Sequence, residues 1–344
     1  MILGGRSSEH EISRASAESV LGALEGAGYE TVEVEIGRDG RWALGASSRP
    51  PLAEESAEQP ELEPSRAGET LPVPASDGAV PATLASVDVV LPILHGPFGE
   101  DGTVQGLLEL AGVPYVGPGV AASAVCMDKD LFKKILRDSG IPVARHHAIR
   151  LRDPIENPFG YPVFVKPARL GSSLGITKVH SEEELGKAVA LAREHDEKVL
   201  IEEFIAGTEV ECSVLGNLDT PPAASLVGEI VAHAEWYDYS AKYDEGGMDL
   251  IVPARIPDET AQRVQDLSVQ AFVASECEGM ARVDCFVRED GEVIINELNT
   301  IPGFTATSVY AKLFEASGIP YPQLLERLIE LALERHERRS RLKY

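Results

Sequence analysis

The chain has 344 residues, about twice a typical ~150-residue domain, so two or three domains are expected. Hydrophobic residues make up 44% and charged residues 25%, an ordinary globular balance that can fill sizeable cores. Fifty-six Asp and Glu against 31 Lys and Arg leave a net charge of −25, which argues against nucleic acid or an acidic membrane as partner but not against a small anion held in a local basic pocket.

Met1-Ile2-Leu3 reads as the end of a buried strand, shorter than strands usually are, and we expect the native chain to start upstream of it. Gly4 and Gly5 turn the chain into a helix running to Glu25, with Ser8 and Glu11 spaced as a capping box. A strand over Thr31–Ile36 completes a βαβ opening. Residues 46–82 hold seven prolines and seven acids against two arginines and are expected to be a solvated excursion. The apolar run Val87–Leu94 predicts a buried parallel strand, followed by a helix over Thr103–Ala111 and a short strand at Tyr115–Val116. Residues 1–125 thus read as one small α/β domain.

Beyond it, helices are expected at Lys129–Ser139, Glu182–Arg193, Glu259–Cys277 and Tyr321–Arg338. Strands are expected at Val163–Lys166, Ile176–Val179, Val199–Glu203, Val210–Leu215, Leu250–Val252, Ala281–Val287 and Val293–Leu298. This mixed order is not a continuing βαβα series, so the fold class is α/β followed by α+β. Cys126, Cys212, Cys277 and Cys285 are far apart and lack zinc spacing, so they read as reduced and mostly buried. With neither an apolar run of membrane-spanning length nor a signal-peptide pattern, the protein is expected to be cytoplasmic.

Three features carry chemistry. Asp284 lies on one predicted strand and Glu297 and Asn299 on the next, joined by the turn Glu289-Asp290-Gly291; alternation puts Glu297 and Asn299 on one face, and antiparallel pairing brings Asp284 opposite. Two carboxylates and an amide suit Mg²⁺, whereas an unligated reading would leave carboxylates on a strand made apolar by Ile294 and Ile295. Lys166 ends an apolar strand just before Gly171-Ser172-Ser173, the logic of a phosphate cradle, although the spacing is not that of a Walker loop. The aromatic, glycine-ended stretch 235–247 reads as a loop closing over a site, or else as an aromatic cluster. His95 ends the buried strand where open α/β sheets bind ligands, while His146, His147, His195 and His336 read as solvated. There is no G-x-S-x-G elbow for a serine hydrolase.

The motifs come in an order that resembles the D-alanine–D-alanine ligase family of the ATP-grasp superfamily. They are Gly-Gly-Arg-Ser-Ser-Glu-His-Glu-Ile-Ser at 4–13, His-Gly-x-x-Gly-Glu-Asp-Gly at 95–102, Met-Asp-Lys at 127–129, Lys-Pro at 166–167 with Gly-Ser-Ser-x-Gly at 171–175, Tyr-Asp-Tyr-x-Ala-Lys-Tyr at 237–243, and Asn-Glu-x-Asn-Thr-x-Pro-Gly at 296–303. The resemblance spans residues 2–330 and is poorest over 46–82. It implies a Rossmann-like pre-ATP-grasp domain at 1–125, a central ATP-grasp subdomain at 126–215 and a C-terminal ATP-grasp subdomain at 216–344 with a lid at 235–247.

By the same resemblance, ATP would meet Lys129, Lys166 and Lys242 at its phosphates, Glu202, Glu203, Phe204 and Ile205 at adenine largely through backbone groups, Glu209 at ribose, and Phe286 against the ring. Asp284, Glu297 and Asn299 would hold two Mg²⁺, for which Mn²⁺ can substitute. Glu9 and His95 would meet the first D-alanine, with Ser172 and Tyr243 linking Glu9 to the lid. Arg282 and the Gly303 amide would form an oxyanion site, and Ser308 and Val309 would meet the second D-alanine. The family implies a homodimer acting in peptidoglycan precursor synthesis. Thr307 and Val309 depart from residues usual in the family, which leaves a D-alanine–D-lactate or other D-amino-acid ligase as the alternative. A non-catalytic nucleotide-binding module is the distant one, and has no need of an oxyanion site.

Overall fold

The computed structural model describes residues 1–45, 84, 86–171, 174–232 and 248–343. The 46–82 excursion and the 235–247 loop, apart from its last-strand neighbours, lie outside them.

At the N-terminus, β1 (Ile2–Gly4) pairs parallel with β2 (Val34–Ile36), and β2 pairs antiparallel with β3 (Trp42–Leu44). On its other edge, β1 meets the 87–94 run through the bridge Ile2↔Pro92, and that run meets Tyr115 through Val90. The run is extended and buried but is not the continuous strand expected: Pro92 has no N–H to donate, so the ladder breaks into single bridges. Tyr115–Val116 likewise supplies one bridge rather than a strand.

Helix α1 (His10–Gly26) lays Ala17, Val20 and Leu24 on this sheet. The expected Ser8–Glu11 capping box is not made, since Glu9 stands at the cap position without a side-chain cap. Ser7 does that work instead: its hydroxyl accepts from the Glu9 amide at 3.2 Å and donates to the His95 carbonyl at 2.7 Å. The cap is thereby also a tie between two loops.

Helices α2 (Thr103–Ala111), α3 (Val120–Met127) and α4 (Lys129–Asp138) lead into an antiparallel sheet. Its strands are β4 (His146–Ile149), β5 (Val163–Pro167), β6 (Thr177–Val179) and β7 (Val199–Glu203), in spatial order β4-β7-β5-β6. Helix α5 (Glu182–Arg193) buries Leu185, Ala188, Val189 and Ala192 against it.

A second antiparallel sheet has the order β10-β9-β8-β11-β12. It is built from β8 (Thr208–Gly216), β9 (Ala223–Ala232), β10 (Met248–Ile251), β11 (Gly279–Val287) and β12 (Val293–Asn299). Helix α6 (Asp258–Ala274) fills one face with Val264, Leu267, Ala271 and Phe272. Near the other lie α7 (Val309–Ala316) and α8 (Tyr321–Ser340), and α8 reaches the N-terminal sheet, packing Leu324, Leu325 and Leu328 with Leu3, Val20 and Leu24. Because β8 pairs with both β9 and β11, we place the subdomain boundary in the turn before it rather than after Leu215.

Candidate functional site

The two larger sheets are joined at one point by the bridge Val143↔Ile295, with the Ile295 amide donating to the Pro142 carbonyl at 2.9 Å. Beside it Ala144, Ile205 and Ile294 form a small apolar cluster against which Phe286 packs. This patch has the chemistry of a wall for a flat apolar ring. Glu209 lies opposite Phe286 in the β8–β11 register. Glu203 gives its carboxylate to Arg145 (2.7 Å from Nε), and the Phe204 ring lies outward under the Lys178 ammonium, 4.6 Å from its centroid. Only the backbone of those two residues remains for the cluster.

Next to this wall, charges are packed in pairs. Asp128 caps α4 by accepting from the Asp130 and Leu131 amides at 3.2 Å, and its carboxylate is held by Lys198 at 2.5 Å. That fixes the start of a helix whose Lys129 and Lys133, four residues apart, share one face. Lys129 Nζ donates to the Leu170 carbonyl at 2.9 Å and pairs with Glu297 at 3.2 Å. Lys166 Nζ lies 2.6 Å from Glu202 Oε1, and Lys133 Nζ lies 3.0 Å from Glu202 Oε2 and 2.9 Å from the Asn296 carbonyl.

Burial pushes the Glu202 carboxyl up, but the Lys133 and Lys166 ammoniums outweigh it and hold the group at about 2. Burial lowers Lys133 to about 8 against the opposing pull of Glu202. Lys133 was missed by the sequence reading; its spacing from Lys129 was the available signal. His146, expected to be solvated, has a buried ring 3.1 Å from Asp130, because β4 faces α4.

The β11–β12 register sets Asp284 directly opposite Glu297 and Arg282 opposite Asn299. Arg282 donates to both oxygens of Asp284, at 2.7 and 2.8 Å, and pairs with Glu211 on β8 at 2.9 Å. Burial opposes its charge, yet Asp284 and Glu211 more than compensate and raise it well above the ordinary arginine range. Asn299 Nδ2 donates to Asp284 at 3.0 Å, which turns its carbonyl oxygen into the free end of the amide. Among the described residues no three His, Cys, Asp or Glu side chains gather as a protein-only metal cage. Two carboxylates and an amide oxygen instead fit a hard cation that takes its other ligands from phosphates and water. The sequence reading did not single out Glu211, which lies opposite Asp284 on the neighbouring strand.

At the far end, Glu9 and His95 are buried together. Gly96 adopts φ +72°, and a Cβ there would stand 2.5 Å from Glu9 Oε2, so glycine lets the 95–100 loop close on that carboxylate. Burial lowers the His95 pKa, outweighing the attraction of Glu9, so the ring is neutral; its Nδ1–H donates to the Ile301 carbonyl at 2.9 Å, and Nε2 is buried with no partner.

Ser308 stands at the N-terminus of α7, its hydroxyl accepting from the Thr305 amide at 3.0 Å and lying close to Gly303. The Val309 side chain does not face this end: it is buried with Ile230 and Leu313, leaving only its backbone amide for a ligand. Ser172, Lys242 and Tyr243 lie outside the described residues.

The pattern described as D-ala D-ala ligase N-terminus matches residues 1–118, and that described as D-ala D-ala ligase C-terminus matches residues 135–330. A D-alanine–D-alanine ligase of Oceanobacillus iheyensis is 41% identical, covering 100% of this chain and 97% of that protein. The solved D-alanine-D-alanine ligase from Coxiella burnetii superimposes with a TM-score of 0.80 at 36% identity, over 98% of this chain and 94% of that one. The VanG D-Ala:D-Ser ligase from Enterococcus faecalis gives 0.79 at 34%, over 96% and 98%. With its ATP-grasp sheets and paired lysines and carboxylates, the chain belongs to the D-alanine–D-alanine ligase family.

Proposed function

We propose that the chain joins two D-alanines into D-alanyl-D-alanine with conversion of ATP to ADP and phosphate, supplying a peptidoglycan precursor in the cytoplasm. The observation that carries this reading is the meeting of Lys129 and Lys166 with Glu297, Asp284 and Asn299 in a chain of this family. A carboxylate is a poor electrophile. Transfer of the γ-phosphoryl group to the first D-alanine's carboxylate makes an acyl phosphate, and ADP leaves. The second amine then attacks the acyl carbon through a tetrahedral oxyanion, phosphate departs, and the amine loses a proton.

Lys129 and Lys166, joined by Lys242, position the phosphates. Glu202, Glu203, Phe204 and Ile205 serve adenine, mostly by backbone, with Phe286 on the ring and Glu209 at the ribose. Asp284, Glu297 and Asn299 would hold two Mg²⁺, or Mn²⁺ in their place, which neutralise charge on the transferring group. Glu9 takes the first ammonium, and neutral His95 faces the same substrate. Arg282 and the Gly303 amide meet the oxyanion, donors of a kind worth about 3–4 kcal/mol each. Ser308 and the Val309 amide, at the positive end of α7, suit the second carboxylate. Ser172, Tyr243 and the 235–247 loop exclude water that would hydrolyse the acyl phosphate. We infer a homodimer.

The test is phosphate release from Mg·ATP with D-alanine, compared with L-alanine, D-alanine plus D-lactate and D-alanine plus D-serine. Turnover on D-alanine with a dipeptide product is expected. Release only in a mixed-acid arm would assign a different second substrate, and silence in all arms would overturn the ligase reading.

A further inference from the structure

Glu100 is the one ionisable side chain at the substrate end to which the proposed reaction gives no task. It sits in the loop after His95, and its Oε1 accepts from the Gly96 amide at 2.9 Å. Its carboxyl also takes a hydrogen bond from the backbone of Ile301. His95, five residues earlier, donates to the carbonyl of that same Ile301 at 2.9 Å. Two side chains of one loop therefore hold both polar groups of a single residue. Ile301 is buried, two positions after Asn299 and two before Gly303. The loop that does the holding also abuts Glu9 through Gly96.

We propose that Glu100 is a positioning residue: with His95 it clamps Ile301, and so sets the segment bearing the Gly303 amide in register with the Glu9 carboxylate across two domains. The inference rests on the ligase reading, in which Glu9 and the Gly303 amide act on the two sides of one reacting carbon. An error of about 1 Å between such groups costs on the order of 10²-fold in rate. The clamp needs an acceptor oxygen at the reach of a glutamyl side chain, and needs no negative charge. Burial and the neighbouring Glu9 carboxylate push the Glu100 acid up to about 8, which agrees with a neutral group that leaves Glu9 as the charged anchor.

Reach and charge separate cleanly in two variants of the full-length enzyme. Glu100→Gln keeps the acceptor oxygen and its reach; Glu100→Asp keeps the acid and shortens the reach by one methylene. We expect Glu100→Gln to hold kcat within about 5-fold of the unmodified enzyme, and Glu100→Asp to lose about 10²-fold in kcat, with KM for ATP unchanged in both. Equal activity of Glu100→Asp and the unmodified enzyme, or loss in Glu100→Gln with retention in Glu100→Asp, would overturn the clamp in favour of a charge or proton-transfer role. Parallel loss of kcat and of ATP affinity in both variants would also overturn it, as a general structural defect. Hydrogen exchange at the Ile301 amide reads the clamp without any turnover: slow exchange in the unmodified protein and Glu100→Gln, and fast exchange in Glu100→Asp, support it. Uniform exchange in all three refutes it. If the unmodified enzyme does not ligate D-alanine, the ligase reading fails while this exchange result still decides the clamp.

Discussion

At the nucleotide end of the cleft, Lys129, Lys133, Lys166 and Arg282 meet Glu202, Glu211, Asp284 and Glu297 in contacts of 2.6 to 3.2 Å. At the substrate end, His95 and Glu100 meet backbone groups of Ile301 and Gly96, and burial makes one a neutral ring and the other a raised acid. Four cations balance four carboxylates in the first region, so admitting phosphates and divalent ions exchanges partners among charges already in place. In the second region protonation, not pairing, removes the excess charge, and Glu9 is left to anchor an ammonium. One end is built to trade ligands and the other to hold still.

The sharpest way to break the paired end is Arg282→Ala. It removes the oxyanion donor, so kcat is expected to fall by about 10²–10³-fold. It also strands Asp284 and Glu211, and leaving a buried ion unpaired costs about 3–5 kcal/mol. Arg282→Lys recovers part of the stability but little of kcat, since an ammonium cannot span both oxygens of Asp284. Steady-state rates alongside thermal melting separate the two effects; unchanged turnover in Arg282→Ala would remove the residue from the chemistry.

Lys133→Met comes next. Glu202 loses one of its two ammonium partners, and the Asn296 carbonyl, which neighbours Glu297, loses its donor. Breaking this buried pair is expected to cost about 3 kcal/mol of stability. KM for ATP should rise roughly 10-fold, the equivalent of one ~1.4 kcal/mol contact. A variant with normal ATP affinity would show that Lys133 holds only the fold.

Glu9→Gln tests the still end. A charged hydrogen bond to the first ammonium becomes a neutral one, a loss of about 1.5–3 kcal/mol, which appears as a 10- to 10²-fold rise in the first-site KM for D-alanine. KM for ATP should not move. An unchanged first-site KM would take the ammonium away from Glu9.

What the sequence disclosed divides along similar lines. Strands rich in β-branched residues were legible to within two residues, as at Val199–Glu203 and Val293–Asn299. The ten-residue β9 was not, because Ala, Ser and Gly dilute its pattern; Gly228 is there so that Leu313 and Leu250 can approach. The run at 87–94 read as a strand by hydropathy, whereas its hydrogen bonding is decided by one proline. In the site, oxygen ligands on adjacent strands were recoverable from alternation, since register follows from a short turn. Lys133, Glu211 and Glu100 were not. Each acts through a partner distant in sequence, and a charged residue seen alone in a chain this rich in acids looks like solvated surface.

The smallest effect sharpens the comparison most, because the two buried acids bend stability with pH in opposite directions. Glu202 has its folded pKa depressed from 4.5 to about 2, so its stabilising contribution is present above pH 4.5 and fades as pH falls toward 2. Glu100 has its folded pKa raised from 4.5 to about 8, so its contribution is fully present below pH 4.5 and is lost as pH rises toward 8. Replacing Glu100 by Gln removes the second slope and leaves the first. Between pH 5 and 8 the variant should therefore gain on the unmodified protein with each step up in pH, by at most about 1.4 kcal/mol per unit. Below pH 4.5 the two should run parallel, both losing the Glu202 contribution as its carboxyl is protonated. Urea unfolding at pH 4, 5, 6.5 and 8 measures the difference directly. Parallel curves from pH 5 to 8 would mean that Glu100 is ionised in the folded protein, and the two ends of the cleft would then share one way of handling charge.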